Sequence, residues 1–334
     1  MSPGVEPIRP SPPATLRRRA FIAAGLSALA SPAIAQEAWP SRTTRIIVPF
    51  APGGTADIPA RIIAEHLSRQ TGKSFVVENR SGAGGAVGIR AVAQALDGHT
   101  LLHSTSAVAI LPALQANPGF DPLTDLTPVT MTAAAPIVLL VRTDGSFSSL
   151  RHFLEHARAA PGKVSFASSG VGSTVHLAGE LLRARAHVDL LHVPYRGSAP
   201  AATALLAGET DAAFLSPIEA LPHIRAGRLR VLATAASHRG SLAPDAPAIV
   251  EEVPEYDGIQ LWFGLFGPRD LSQEAVDRLM RELALLRGDS LLTTRMAELN
   301  AEAPLDGPEA LSKRMRAEVP LWKSIATQAG IPRE

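Results

Sequence analysis

Cysteine is absent from the 334-residue chain, which excludes disulfides, thiolate metal sites and a cysteine nucleophile, so the fold must stand on packing alone. Aromatic residues make up only 4%, too few for the stacking platforms that single-stranded nucleic acid needs. Neither sign of charge dominates: 32 Lys and Arg stand against 31 Asp and Glu, a formal net charge of +1. No extended basic run follows the first twenty residues, and the electrostatic footprint of a nucleic-acid partner is therefore missing. Past the N-terminal segment, no apolar run reaches the ~20 residues that a membrane-spanning helix requires.

What is present begins with an address. Leu16-Arg-Arg-Arg-Ala-Phe-Ile22 is a charged segment, Phe21 to Ile34 is mildly apolar, and Ala33-Ile34-Ala35 forms a small-x-small cleavage site before Gln36. Residues 1–35 read as a Pro- and Ser-rich leader plus a signal peptide, with the mature chain starting near Gln36. The Arg18-Arg19 pair and the Gly25, Ser27 and Ser31 that dilute the apolar stretch suit twin-arginine export, with Sec as the plainer alternative. Either route predicts an exported, periplasmic protein. A hydrophobic fraction of 46% with 19% charge fits one large or two medium globular domains.

From Arg45 onward, short β-branched runs alternate with helix-period segments, the pattern of an α/β protein with mainly parallel sheets. Strands are predicted at "RIIVPF", "SFVVEN", "TLLHST", "IVLLVR", "VSFASS", "DLLHVPY", "TDAAFLS", "LRVLATA" and "LWFGLFGP", with helices between most of them. The segment from Leu111 to Pro128 is Pro-rich and reads as irregular. Two sets of βα units joined by extended crossings at 137–142 and 229–235 imply two lobes, the first discontinuous: residues 36–138 with 236–334, and residues 139–235. Ligands of open parallel sheets bind beyond the carboxyl ends of the strands, which here means the cleft between lobes.

Three Gly- and Ser-rich turns follow strands and precede helices: "APGGTAD", "SSGVGST" and "YRGSAP". In the first, Gly53 and Gly54 allow positive φ and close backbone approach, while the next helix offers unpaired N–H groups and the positive end of its dipole, the makings of an anion site. Asp57 fits either a helix cap or a ligand contact. The second turn, Ser168 to His176, repeats this chemistry with up to four hydroxyls. Each hydrogen bond to a charged partner contributes ~1.5–3 kcal/mol, so a few from both turns approach the roughly 8 kcal/mol of micromolar binding before ordering costs.

Other motifs fail on spacing. "QTGKS" at 70–74 lacks the first glycine of a phosphate loop, because the position is Leu67, and Gly82-Ala-Gly-Gly-Ala-Val-Gly88 places Val87 where a dinucleotide turn needs glycine. His152-Phe-Leu-Glu-His156 matches a zinc pattern, but Phe153, Leu154 and Ala157 give this helix an apolar side that leaves both histidines on the solvated side, and no third ligand is evident. Ser169 or Ser173 with His176 and Asp211 makes a list of hydrolase residue types without hydrolase spacing. No metal or cofactor is expected.

Taken in order, "VPFAPGGTAD", "VVENRSGAGGAVG", "DGHTLLHSTS", "KVSFASSGVGSTVHLAGELL", "HVPYRGSAPA", "GETDAAF", "LPHIRAGRLRVLA" and "WFGLFGP" resemble the extracytoplasmic solute receptors of tripartite tricarboxylate transporters, the TctC or Bug family. The resemblance covers about residues 40 to 330. It implies a two-lobed, type II periplasmic binding protein fold that is not an enzyme, closes on a small carboxylate and delivers it to a large and a small membrane subunit. It also implies ligand contacts at Pro52, Gly53, Gly54 and Asp57, with Phe50, Thr55 and Ala56 beside them, and at Ser168, Ser169, Gly170, Gly172, Ser173, Thr174 and His176. Thr105, Ser106, Ala107 and Tyr195 are expected to line the cleft. Where relatives carry Asp or Asn after the "D-x-x-F" strand, this chain has Phe214-Leu-Ser-Pro-Ile-Glu219, so Ser216 and Pro217, together with Ala107 to Ile110, are expected to tune ligand choice. Their apolar character argues against a second strongly charged ligand group. A sensor for a signalling partner, or a hydrolase using Ser169 and His176, are the alternative readings; a cleft that must open and close makes monomer the default.

Overall fold

The computed structural model describes residues 38–50, 52, 56–195, 197–288, 294, 296, 297, 301–328 and 330–333, together with residues 1 and 4. The signal-peptide reading of residues 1–35 falls outside the described residues, as do Gly53, Gly54 and Thr55. Every element below lies in the unit Trp39–Glu334.

Two five-stranded sheets organise the chain. The first has β1 (Thr44–Val48), β2 (Phe75–Asn79), β3 (Thr100–Thr105), β4 (Leu126–Pro136) and β10 (Gln260–Pro268), in the order β2-β1-β3-β10-β4. The second has β5 (Val138–Arg142), β6 (Val164–Ser168), β7 (Leu190–Pro194), β8 (Ala212–Leu215) and β9 (Leu229–Thr234), in the order β7-β6-β8-β5-β9. Each is mixed in the same way: three parallel neighbours, then one antiparallel strand in the fourth place, β10 in one sheet and β5 in the other. Helices flank both, giving a two-lobed α/β fold.

Local sequence explains most elements. Ile46, Ile47 and Val48 of β1 are fully buried, as expected of a central strand covered on both faces. The helix Leu150–Ala159 buries Leu150, Phe153, Leu154 and Ala157, one apolar stripe at helical spacing, and Ser149 Oγ caps it by accepting from His152 N at 3.2 Å. Its His152 and His156 are exposed and pack against the edges of the Phe147 ring.

The 111–128 segment departs from the sequence reading. It holds the end of a helix, Ala107–Leu114, and the start of the eleven-residue β4. Prolines misled the reading there: β4 is an edge strand, where the missing N–H of Pro128 and Pro136 is tolerated, and Pro128 sits opposite Phe266 at a register shift. Most of 137–142 and 229–235 lies in β5 and β9 of the second sheet; beside them, Ala235 N donates to Ile137 O at 2.8 Å and Ala235 O accepts from Ile259 N at 2.6 Å.

The long helix Pro308–Gln328 packs against β4, against the helix Ala107–Leu114 and, across the lobes, against the helix Thr174–Arg185. Its Glu318 is largely but not fully buried and accepts from both Trp262 Nε1 (2.8 Å) and Trp322 Nε1 (3.2 Å), with Arg314 Nη1 at 3.0 Å. Burial raises this carboxyl above the ordinary range against those bonds. Among the described residues no helix is long and apolar enough to cross a membrane.

Candidate functional site

The carboxyl ends of β3, β6, β7 and β8 each lead directly into a helix: α3 (Ala107–Leu114), α5 (Thr174–Arg185), α6 (Ser198–Ala207) and α7 (Pro217–Arg225). The other helices placed among the described residues, in chain order, are α1 (Asp57–Thr71), α2 (Ala86–Ala93), α4 (Leu150–Ala159), α8 (Ile249–Glu252), α9 (Gln273–Leu285) and α10 (Pro308–Gln328). One cavity of about 640 Å³ touches the starts of α3, α5, α6 and α7, through Thr105 and Ala107, Ser173 and Thr174, Gly197 and Ser198, and Ser216. Four helix starts therefore border one space, each bringing the positive end of a dipole. Among the described residues its lining carries no Asp, Glu, Lys, Arg or His. Such a space favours a small anion without an opposing side-chain charge.

The second turn is built as a rigid ledge. Gly170 and Gly172 take φ of +129° and +76°, which glycine adopts without strain. Ser173 caps α5, its Oγ accepting from His176 N at 3.2 Å and donating to Gly170 O at 2.8 Å. Behind the ledge, Gly172 N donates to His176 Nδ1 at 3.1 Å, so the His176 proton sits on Nε2, which lies 3.6 Å from Glu180 Oε1. His176 stacks on His192 at 3.9 Å, and His192 Nε2 lies 2.7 Å from Ser168 Oγ. Burial, helped by the neighbouring His176, lowers His192 to about 4 and keeps it neutral.

Of the first turn and its flanks, Phe50, Pro52, Ala56 and Asp57 are described. Phe50 lines the cavity, Pro52 is exposed, and Ala56 is buried. Asp57 is buried, and its carboxylate accepts from Arg61 Nε at 2.6 Å and Asn79 Nδ2 at 2.8 Å, while Asn79 Nδ2 also donates to Phe50 O at 3.0 Å. The cap of α1 is at Ala56 without a side-chain bond, and Asp57 ties the start of α1 to Asn79 at the end of β2. His103 lies under the floor, with Nε2 2.8 Å from Thr132 Oγ1, and burial lowers it to about 4.

Of the residues singled out from the sequence, Phe50, Thr105, Ala107, Ser169, Gly172, Ser173, Thr174 and Ser216 border the cavity. Ser106, Ser168 and His176 are buried behind its wall, as is Pro217 at the first position of α7. Ser106 Oγ lies 2.7 Å from Thr174 Oγ1, a hydrogen bond between the lobes. Gly170 accepts from Ser173 beside the cavity, and Tyr195 turns its hydroxyl to Glu209 at 3.1 Å. Ile110, expected to tune ligand choice, also borders the cavity; missed in the sequence were Ala83 and Gly84, inside the rejected dinucleotide motif, the further α3 residues Leu111, Leu114 and Gln115, and the pair Ile331 and Pro332. The apolar spacing of Ala107, Ile110, Leu111 and Leu114 was the signal that could have found α3.

The hydrolase arrangement is not assembled. Asp211 Oδ2 accepts from Ser165 N and Oγ, both at 2.8 Å, and His176 is turned toward Gly172 and Glu180. Among the described residues no group of His, Asp or Glu is placed to hold a metal.

Residues 59–287 match the model of the tripartite tricarboxylate transporter family receptor, TctC. Protein BugT of Bordetella pertussis is 32% identical over 301 residues, covering 89% of this chain and 92% of that protein. A solved R. palustris protein with adipate is 33% identical with a TM-score of 0.76, covering 89% of this chain and 100% of that one. MatC from Rhodopseudomonas palustris, with bound malate, is 30% identical with a TM-score of 0.72, covering 86% and 99%. The chain belongs to the tripartite tricarboxylate transporter receptor family, a family of substrate-binding receptors and not of enzymes.

Proposed function

We propose that this chain is a periplasmic solute receptor that binds a small organic carboxylate in the interlobe cavity and hands it to the large and small membrane subunits of a tripartite tricarboxylate-type transporter. The observation that carries the reading is the convergence of four helix N-termini on a cavity whose described lining has no ionised side chain. The adipate and malate held by its solved relatives support the ligand class. In this reading residues 36–138 with 236–334 form one domain and residues 139–235 the other, hinged at Ile137 and Ala235. Ser169, Ser173 and Thr174 from one lobe, with Thr105, Ala107 and the Gly53-Gly54 turn from the other, close on one carboxylate. Pro52, Thr55, Asp57, Ser106, Ser168, Gly170, His176, Tyr195 and Pro217 position those groups. The protein works as a monomer, exported by the signal at residues 1–35.

The test is binding with turnover monitored. Isothermal titration of the mature chain with carboxylates is expected to give one site per chain and ligand recovered unmodified. Absence of carboxylate binding, or conversion of the ligand, would overturn the proposal. Uptake of the same carboxylate by cells lacking this chain should fall to background if delivery to a transporter is its role.

A further inference from the structure

Resting on the receptor reading above, we infer that the ligand is a monocarboxylate with an apolar body, and that this site discriminates against dicarboxylates of the same length. The wall formed by α3 is mostly apolar, with Ile110, Leu111 and Leu114 in the lining, and Gly172 of the second turn lies against Leu114. Helix α3 runs outward from the carboxyl end of β3, and its eight residues carry the wall about 10 Å from the first turn to the last. At its start stand Thr105, the Ser106–Thr174 hydrogen bond and the amides of α5. Along its length the lining becomes Ile110, Leu111 and Leu114, with Leu261 from β10, Val175 from α5 and Ile331 completing the apolar surface.

Two features of the far end oppose a second carboxylate. The C-terminus of α3 carries the negative end of its dipole, so an anion there meets the unfavourable pole of the helix whose start attracts the first. Arg333 is directed at that same helix end, donating to Pro112 O at 3.1 Å and Gln115 O at 3.2 Å. Gln115, a polar side chain on this wall, gives its amide nitrogen to Ala83 O at 3.3 Å. A carboxylate pressed against Leu111, Leu114 and Ile331 would lose water without gaining a charged partner among the described lining residues, whereas an alkyl or aryl body gains by the same burial.

The experiment is a calorimetric comparison of matched pairs on the mature chain: hexanoate against adipate and octanoate against suberate. The monocarboxylate of each pair is expected to bind at least about tenfold more tightly. The variant Leu114→Lys, checked for an unchanged fold by circular dichroism, should reverse the order within each pair. Dicarboxylates binding as tightly as their partners, or an unchanged ratio in Leu114→Lys, would overturn this inference and leave the receptor reading intact. Failure of all four to bind would overturn both.

Discussion

Gly172 joins a backbone requirement to a contact across the cleft. Its φ is +76°, and an added Cβ would lie 2.4 Å from Leu114 Cδ1 on the opposite lobe. Gly172→Ala should cost about 1 kcal/mol of stability through the left-handed backbone and push Leu114 into the cavity, weakening carboxylate binding by about tenfold; urea unfolding and titration measure the two effects separately. Adding Leu114→Ala should restore part of the affinity and none of the stability. Asp57 carries a different burden. Asp57→Ala should cost about 2 kcal/mol in thermal or urea unfolding, because it strips a buried carboxylate from Asn79 and Arg61, discounted because Arg61 is half exposed. The sequence left Asp57 as cap or ligand contact, since neither Arg61 one helical turn on nor Asn79 on the next strand is visible as a partner without the fold. The glycines of "SSGVGST" were legible because only positive φ explains them so close to a helix start.

At the level of elements, the second turn depends on β7 and α5 beneath it. His192, on β7, is stacked against His176 and held neutral by burial, as is His103 on β3. Both titrate at about 4 when folded, against an ordinary 6.5 in the unfolded chain, so the unfolded chain binds protons first as pH falls. Their contribution is therefore complete above pH ~6.5 and is lost progressively down to pH ~4, on the order of 3 kcal/mol for the fully buried His103 alone. Unfolding free energy measured from pH 7.5 to 4.5 should decline across that window, and His192→Phe should flatten the decline. A pH-independent stability would contradict the neutral histidines. Elements with clean periodicity, such as α4 and β1, could be read from sequence. The α3–β4 region could not: whether Pro128 interrupts a strand depends on whether that strand lies at a sheet edge, which is settled by β10, more than a hundred residues away.

For the whole molecule, the alternation of strands and helices sufficed to give two α/β lobes and a cleft, while the strand order did not. The antiparallel places of β10 and β5 arise from long-range pairing that no local pattern encodes. The lobes meet through the hydrogen bond between Ser106 and Thr174, and through α10 against α5. If the cleft works by closure, Thr174→Val should weaken ligand affinity by roughly tenfold while moving the unliganded melting temperature little, because it removes one interlobe hydrogen bond at a helix start. Small-angle scattering should register contraction of the wild-type chain on adding carboxylate and a smaller contraction in the variant at equal ligand concentration. Whether helix N-termini hold an anion in this cavity is decided by titration with hexanoate and with hexanamide, its uncharged analogue. One hexanoate per chain and an amide weaker by about a hundredfold are expected; equal affinity for the two would show that the helix N-termini do not hold the anion.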